Sequence, residues 1–554
     1  MLANLLDVEE GMVRQAGKPE DGVTIFCDFA VAFPSIEHQF FHAFFQSLGW
    51  PEWLLRIIRI LYLDNFCFIQ FQGRRFEGFA ISRGIRQGCP LSPLLFAMAT
   101  DLVLRRLHRI LPTVLTRAWA DDLAMVVPQG FRHVSTLEHF FIDFAQVSGL
   151  SLSIGKTVLA PLWEFEEQAV RGQVYNHAPT WGGITISSSA KYLGIFGGPG
   201  KGFRSWDGPI KKYHERARQW GALGLGMLLT VQAYQTYISS VLQFVAQLED
   251  LPHDFPAHEC KAVRALFSGP TAWITPSVLK DSKYWEFPNA LTEMDASADA
   301  AKARVYRWEN HAHGGLNIRY RTMHLMDSDG AECAFNHVAW WRKWSSDSFF
   351  HKILSAHQRF VRESRTSRLT PEQLANRSGW QKRATLLFKC PTGTSVTHFR
   401  RKLDKWTTLT TLPGHRPGRA CRILCMLGTS ATPRVQAAYM RTIFNGWCTR
   451  GRFQQAGACR FGCGHGIDKI EHFPMCPVVK TLLASTGTWH GTHGVTPLDS
   501  FLCMDVGSSH VELALQRGLS LYALYQLYNG IRFSTYQPSE YHDAFHRFRL
   551  EGIR

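Results

Sequence analysis

Along the first two hundred or so residues the apolar positions change period several times, and each change predicts an element. "VTIFCDF" is a β-branched and aromatic run that predicts a buried strand ending at Asp28. In "PSIEHQFFHAFFQSLG" the residues Ile36, Phe40, Phe41, Phe44 and Leu48 share one helical face, and Gly49 marks the stop. Pro51 opens a second helix through Tyr62. The runs "FCFIQFQ" and "RRFEGFAIS" flank Gly73 as a hairpin. After a glycine-rich turn, "SPLLFAMATDLVLRRLHRIL" carries the apolar stripe of a long helix, and "RAWADDLAMVVP" reads as strand, tight acidic turn, strand. Ser135 with Glu138 predicts a capping box for a helix whose inward face is Leu137, Phe140, Phe141, Phe144 and Val147 and which ends at Gly149. This order predicts an α+β fold in which an antiparallel sheet carries helices on one face. From Asp207 to about Ser485 the pattern is mostly helical, with Pro-containing breaks.

Composition narrows the class. With 554 residues, 45% apolar and 19% charged, the chain can bury several cores, which excludes general disorder and a single small binding module. Asp7, Glu9, Glu10, Glu20 and Asp21 crowd the first residues, unlike a signal peptide, and the most apolar runs are broken by Arg and Gln short of the ~20 residues a membrane span needs. The expectation is a soluble intracellular protein with no membrane partner. Thirteen cysteines, an odd number, then argue for reduced thiols, with metal binding where they cluster with His.

The net charge is 61 − 45 = +16, yet residues 1 to 160 hold 14 basic and 15 acidic side chains, so the later chain carries 47 − 30 = +17. Its densest stretch, Arg359 to Arg422, has 15 basic and three acidic residues with Phe360, Trp380, Phe388, Phe399 and Trp406 interleaved. Basic groups that displace counterions and aromatics that stack on bases would suit a polyanion. The competing reading is an Arg-rich, solvated helical surface.

Asp28 ends an apolar strand, and Asp121 with Asp122 sits at the bend of an apolar hairpin. Adjacent carboxylates repel, and at the end of a buried sheet their charge calls for a cation; hard oxygen ligands select Mg²⁺. Taken alone, "ADD" is equally an ordinary turn. It is joined by "SRGIRQGCPLSPLLFAMATDL", where Gly88 admits close backbone approach and Arg86 and Gln87 can hydrogen-bond a base or phosphate. A second constellation, "ACRFGCGHGIDKIEHFPMC", spaces Cys459, Cys463, His472 and Cys476 as a tetrahedral zinc set, with His465 as a competing ligand and Gly462, Gly464 and Gly466 supplying sharp turns.

In order and spacing, "CDFAVAF", "RGIRQGCPLSPLLF" and "WADDLAMV" resemble the three palm motifs of reverse transcriptases of the non-LTR retrotransposon type. "SGLSLSIGKT", "KYLGI" and "WDGPIKKYHERARQW" resemble the segments that follow, and the cysteine cluster resembles the family's downstream finger. The resemblance covers about residues 5 to 250. It implies a palm with residual fingers over 1–200, the N-terminal fingers region being absent, a thumb-like helical domain over 201–255, and a basic, mainly helical nucleic-acid-binding region over 256–440. A zinc-knuckle-like segment over 441–485 and a helical end over 486–554 would follow. It implies that Asp28, Asp121 and Asp122 hold two Mg²⁺ (or Mn²⁺) ions and that Lys156 assists pyrophosphate departure. Phe33 would exclude a ribose 2′-hydroxyl, Arg86, Gln87 and Gly88 would line the template and nucleotide pocket, and Tyr192, Leu193 and Gly194 would grip the primer. Core packing for Phe33 and a surface charge for Lys156 stay open beside these roles. One structural Zn²⁺ would sit on Cys459, Cys463, His472 and Cys476. The implied function is an RNA-directed DNA polymerase using an RNA template, a DNA primer or target and deoxynucleoside triphosphates, in the nucleus or cytoplasm, and nuclear when it acts on target DNA. Of the cations before the first motif, Arg14 and Lys18 do not match the missing triphosphate clamp. The alternative is therefore a catalytically inactive, reverse-transcriptase-like nucleic-acid-binding protein.

Overall fold

In the computed structural model, residues 1–18, 21–270, 273–309, 318, 321, 344, 347–365, 370, 372–373, 376–389, 395–411, 414–489 and 495–553 are described. They form two units: Met1–Asp207 with Gln247–Asp250 and Lys302–Arg362, and Gly208–Ala246 with Leu251–Ala301 and Glu363–Arg554. The stretch 256–440, expected as one region, is divided between them.

The first unit runs α1 (Leu2–Ala16), β1 (Val23–Cys27), α2 (Ala32–Ser35), α3 (His38–Ser47), α4 (Glu52–Tyr62), the hairpin β2 (Phe66–Phe71) and β3 (Arg74–Ala80), and α5 (Ser92–Ile110). Next come β4 (Leu115–Trp119), β5 (Asp122–Val127), α6 (Gly130–Ser148), β6 (Val158–Pro161), α7 (Glu167–His177), β7 (Thr185–Ile186) and the hairpin β8 (Ala190–Tyr192) and β9 (Ile195–Gly197). Five strands pair in the order β4-β5-β1-β6-β7, antiparallel except for the parallel pair β6 and β7.

β1 is central and buried along its whole length. Its alternate residues Val23, Ile25 and Cys27 join a core with Leu95 and Phe96 of α5 and Leu137 and Phe141 of α6. Phe26 points the other way, its ring 5.9 Å from that of Tyr192. On that side Gly11 of α1 lies so close to β4 and β5 that a Cβ there would come within 2.6 Å of Leu115 and 3.4 Å of Val126. The sheet is thus covered on both faces, not on one. An unbroken apolar strand without polar alternation is what two-sided burial requires.

The predicted capping box does not form. α6 begins at Gly130, before Ser135, and continues its apolar stripe through buried Val134. The buried Glu138 carboxylate instead accepts from the Thr180 amide at 2.7 Å and its hydroxyl at 2.5 Å. The predicted stop does hold, with Gly149 left-handed at φ +77°.

The acids of α1 are structural anchors. Lys201 Nζ lies 3.0 Å from Glu9 and 3.2 Å from Glu249, and Lys352 Nζ lies 2.5 Å from Glu249. Glu9 also accepts from the Phe349 amide at 2.6 Å, and Asp7 accepts from Arg117 and Arg321, each at 2.8 Å. These buried pairs hold residues 247–250 and 347–352 to the first unit.

The second unit is mainly helical. Its helix Val511–Arg532 is buried on most sides, packed against Arg416–Ser430, Pro433–Ile443 and Tyr541–Glu551. Here the base-stacking expectation fails: Trp380, Phe388, Phe399 and Trp406 are 0–3% exposed, and Phe360 of the first unit is also buried. They are the inward faces of amphipathic segments, and only the cations between them can meet a polyanion. Even Arg416 is buried, donating to the carbonyls of Thr411, Trp406 and Leu409 at 2.8 to 3.1 Å. Among the described residues, no helix is long and apolar enough to cross a membrane.

Candidate active site and a candidate metal centre

The carboxylates are positioned by strand register. β1 pairs with β5 antiparallel with Cys27 opposite Leu123, so one step further brings Asp28 level with Asp122. β4 and β5 are joined by a two-residue turn, Ala120 and Asp121, between the paired Trp119 and Asp122, with Ala120 left-handed at φ +52°. All three acids therefore gather at one end of the sheet. Asp122 reports the crowding: partial burial, then the charges of Asp121 and Asp28, push its carboxyl above the ordinary value, against an opposing pull from Lys191.

Past β1 the chain is tied to the loop before β6. Ala30 N donates to Ser151 O at 2.9 Å and Ser153 N to Asp28 O at 2.7 Å. This tie delivers Lys156, whose ammonium is 3.3 Å from Asp28 Oδ2. The next turn is strained. Val31, β-branched and exposed, is left-handed at φ +51°, with its carbonyl held by the Ser35 hydroxyl at 2.7 Å.

Phe33 stacks on Phe96 with centroids 4.6 Å apart and is half-buried, so it packs on the core while keeping an edge free. Its carbonyl accepts from Ile85 N at 2.8 Å, which docks the glycine turn on the strand-end segment. Gly84, left-handed at φ +89°, permits this because a Cβ there would meet the Pro34 backbone at 2.5 Å. In that turn Gln87 and Gly88 are exposed. Arg86 is instead committed to the end of α4, donating to Leu61 O at 2.8 Å and to Asn65 Oδ1. Tyr192 is buried, its hydroxyl donating to Arg117 O at 3.2 Å, and Leu193 and Gly194 form a left-handed hairpin turn at φ +49° and +88°.

In the second unit, Cys459, Cys463, His472 and Cys476 bring their ligand atoms within 4.8 Å of one another. Cys459 Sγ lies 3.9 Å from Cys476 Sγ, and Cys463 Sγ 3.2 Å from His472 Nε2, separations that ligand bonds of about 2.0–2.3 Å to one zinc would produce. His465 lies outside the group. The hydrogen bond between Cys459 and Cys476 raises the first thiol and lowers the second to about 5, so the pair readily holds one thiolate. Gly462 and Gly464 are left-handed, whereas Gly466 serves by absence: a Cβ there would lie 2.1 Å from the His472 ring. Buried Asp468 braces the loop, accepting from Arg450 N at 2.9 Å and the Tyr528 hydroxyl at 2.8 Å.

Residues 5–196 match the family described as reverse transcriptase (RNA-dependent DNA polymerase). Over this segment the chain is similar to reverse transcriptases, and the relatives it matches are proteins of transposable elements. The chain is similar to the retrovirus-related Pol polyprotein from type-2 retrotransposable element R2DM of Drosophila melanogaster, 29% identical over 139 residues. It is also similar to the Transposon TX1 uncharacterized 149 kDa protein of Xenopus laevis, 27% identical over 104 residues. The matched segments are 23% and 17% of this chain but only 13% and 8% of those proteins. The matched segment includes the three acids, Lys156 and the turn after Tyr192. Sequence reasoning passed over two of its features. Lys191, whose charge acts on Asp122, has no local pattern that sets it apart from any other strand lysine. The partners of Glu9 lie 192 or more positions away, and no local pattern marks them.

Proposed function

We propose that this chain is an RNA-directed DNA polymerase that extends a primer 3′-hydroxyl with deoxynucleotides in a retrotransposon setting. The observation that carries the reading is the convergence of Asp28, Asp121 and Asp122 at one sheet end, with the Asp122 carboxyl raised by partial burial and then by its two neighbours. Such a surplus of hard oxygen ligands fits two Mg²⁺ (or Mn²⁺) ions, which when bound activate the attacking hydroxyl and stabilise the leaving pyrophosphate. Lys156 screens Asp28 and stands ready to donate to a departing phosphate. Phe33, braced on Phe96, would reject a 2′-hydroxyl by bulk, while exposed Gln87 and Gly88 would receive template and incoming nucleotide. The Tyr192–Gly194 turn would support the primer end. The cysteine and histidine set would hold one structural Zn²⁺, its cysteines supplying thiolate charge. RNA template, DNA primer or target and deoxynucleoside triphosphates are the corresponding partners. The test is primer extension by the full chain on an RNA template with Mg²⁺ or Mn²⁺. Asp121→Asn should lower nucleotide addition by about two or more orders of magnitude while leaving template binding intact. Retained addition in that variant would refute the assignment, and binding without any extension by the parent chain would favour an inactive nucleic-acid-binding protein.

A further inference from the structure

Within the second unit lies a cavity of about 370 Å³ that the polymerase reading does not use. One wall is the helix Pro433–Ile443, on which Arg434, Ala437, Ala438 and Arg441 fall on one face because their spacing follows the helical repeat. The small alanines leave the space that the two arginines flank. The facing wall is Val511–Arg532, which contributes Tyr522 and Tyr525.

Arg441 is preset. Its guanidinium lies 4.1 Å from the Trp273 ring centroid and 5.4 Å from that of Tyr525, and one N–H donates to Ser268 O at 3.1 Å. Gly446 makes this stacking possible, since a Cβ there would meet both Arg441 and Trp273 at 2.9 Å. A guanidinium has five N–H donors, so most of this one's hydrogen-bonding capacity is left over after Ser268 is served. Arg434 at the rim is exposed. Among the described residues that line the cavity there is no Asp or Glu. Two guanidinium groups with no lining carboxylate favour an anion, and fork-shaped donors match a phosphate. The remaining walls mix the aromatic and apolar side chains of Phe267, Trp273, Tyr522 and Tyr525 with the polar Thr230, Ser268 and Gln526, which suits a planar ring with polar edges, and the volume is near the lower end for small-molecule sites of roughly 300–1,000 Å³. That is room for one unit and not for a duplex.

We propose that this cavity binds a single unstacked nucleotide, its phosphate on Arg434 and Arg441 and its base against the tyrosine wall. The shared chemistry, base plus phosphate, comes either from a free mononucleotide or from one residue of a single strand. The inference rests on the polymerase reading only for why such strands would be at hand.

The full chain is titrated with fluorescein-labelled (rU)10 and (dT)10 by anisotropy, with AMP and UMP as competitors. Two variants are compared with the parent, each checked by thermal melting: Arg434→Glu, on an exposed rim residue, and Ala437→Leu, which fills the cavity without changing charge. Both should weaken oligonucleotide binding about tenfold, a loss comparable to removing one base–aromatic stack. Displacement by AMP or UMP in the parent but not in the variants assigns the site to free nucleotides, and its failure with both variants still weakened assigns it to a strand. Ala437→Leu binding as the parent does would overturn the proposal even if Arg434→Glu weakened binding, because only surface charge would then be at work. Absence of binding by the parent would overturn it too. Primer extension by the same preparations reports separately on the polymerase reading.

Discussion

Replacing Lys201 with methionine keeps an unbranched stem of similar length and removes the ammonium that lies 3.0 Å from Glu9 and 3.2 Å from Glu249. The side chains of Lys201 and Glu9 are each 2% exposed, so solvent does little to compensate the charge left behind. Glu249 keeps Lys352 at 2.5 Å, whereas Glu9 keeps the Phe349 amide at 2.6 Å and, among the described residues, no second cation. One carboxylate, not two, is therefore stranded. Removing one member of a buried pair costs about 3–5 kcal/mol, and the single stranded group places this case near 3 kcal/mol. For a unit of this size that is a melting shift of about 6–12 °C. The loss should depend on pH in a definite direction. Burial raises the Glu9 carboxyl against the pull of Lys201, and without Lys201 it rises further. A carboxyl raised in the folded state contributes stability that is present below its unfolded value of about 4.3 and is lost as pH rises through the folded value. The deficit relative to the parent should thus shrink as pH falls from 7 to 5. Thermal melting of the full chain at both pH values, with amide exchange of residues 347–352, measures it. Glu9→Gln combined with Lys201→Met should recover most of the loss, since a neutral pair needs no counter-charge. A pH-independent loss below about 1 kcal/mol, or a double variant no more stable than Lys201→Met, would refute the reasoning.

Asp122→Asn should raise the melting temperature of metal-free protein at pH 7, because the folded-state carboxyl is raised by burial and by Asp121 and Asp28 and its charge is therefore unfavourable above the ordinary carboxylate range. The gain should vanish near pH 3, where the parent carboxyl is protonated; an unchanged or lower melting temperature at pH 7 would deny the crowding. Cys463→Ser should reduce zinc from about one per chain by elemental analysis and destabilise residues 455–480, given that structural zinc contributes roughly 10–16 kcal/mol in small fingers; an equal metal content in parent and variant would remove the site. Trp380→Ala should cost about 3–5 kcal/mol of stability through the cavity it leaves. It should leave nucleic-acid affinity at fixed salt unchanged at a temperature where the variant is folded, since a buried ring meets no base; a loss of about tenfold, the size of one base–aromatic stack, would return this aromatic to the binding surface.

Several features of this protein were legible locally. The unbroken apolar run of β1, the stripe of α5 and the left-handed stop at Gly149 each depend on a few neighbouring residues, and short-range sterics and burial periodicity write them into the chain. The acid triad was legible for the same reason: strand ends and a tight turn tell where apolar patterning stops, and pairing two adjacent strands then brings Asp28 level with Asp122. The cysteine and histidine set was also visible, since its four residues fall within one short segment.

Tertiary structure decided what depends on partners distant in the chain. Ser135 and Glu138 have the spacing of a cap, yet Glu138 serves Thr180, 42 residues on, because a buried carboxylate must find donors wherever the fold supplies them. The aromatics between Arg359 and Arg422 have a composition equally suited to stacking on bases or to packing a core. Their burial settles the choice, since the apolar area removed from water outweighs any local preference for display. Likewise Glu9 reads in the sequence as one more acid in the acidic first residues. Only folding shows that it meets Lys201 and the Phe349 amide, because charge pairing acts through space and leaves no periodicity along the chain.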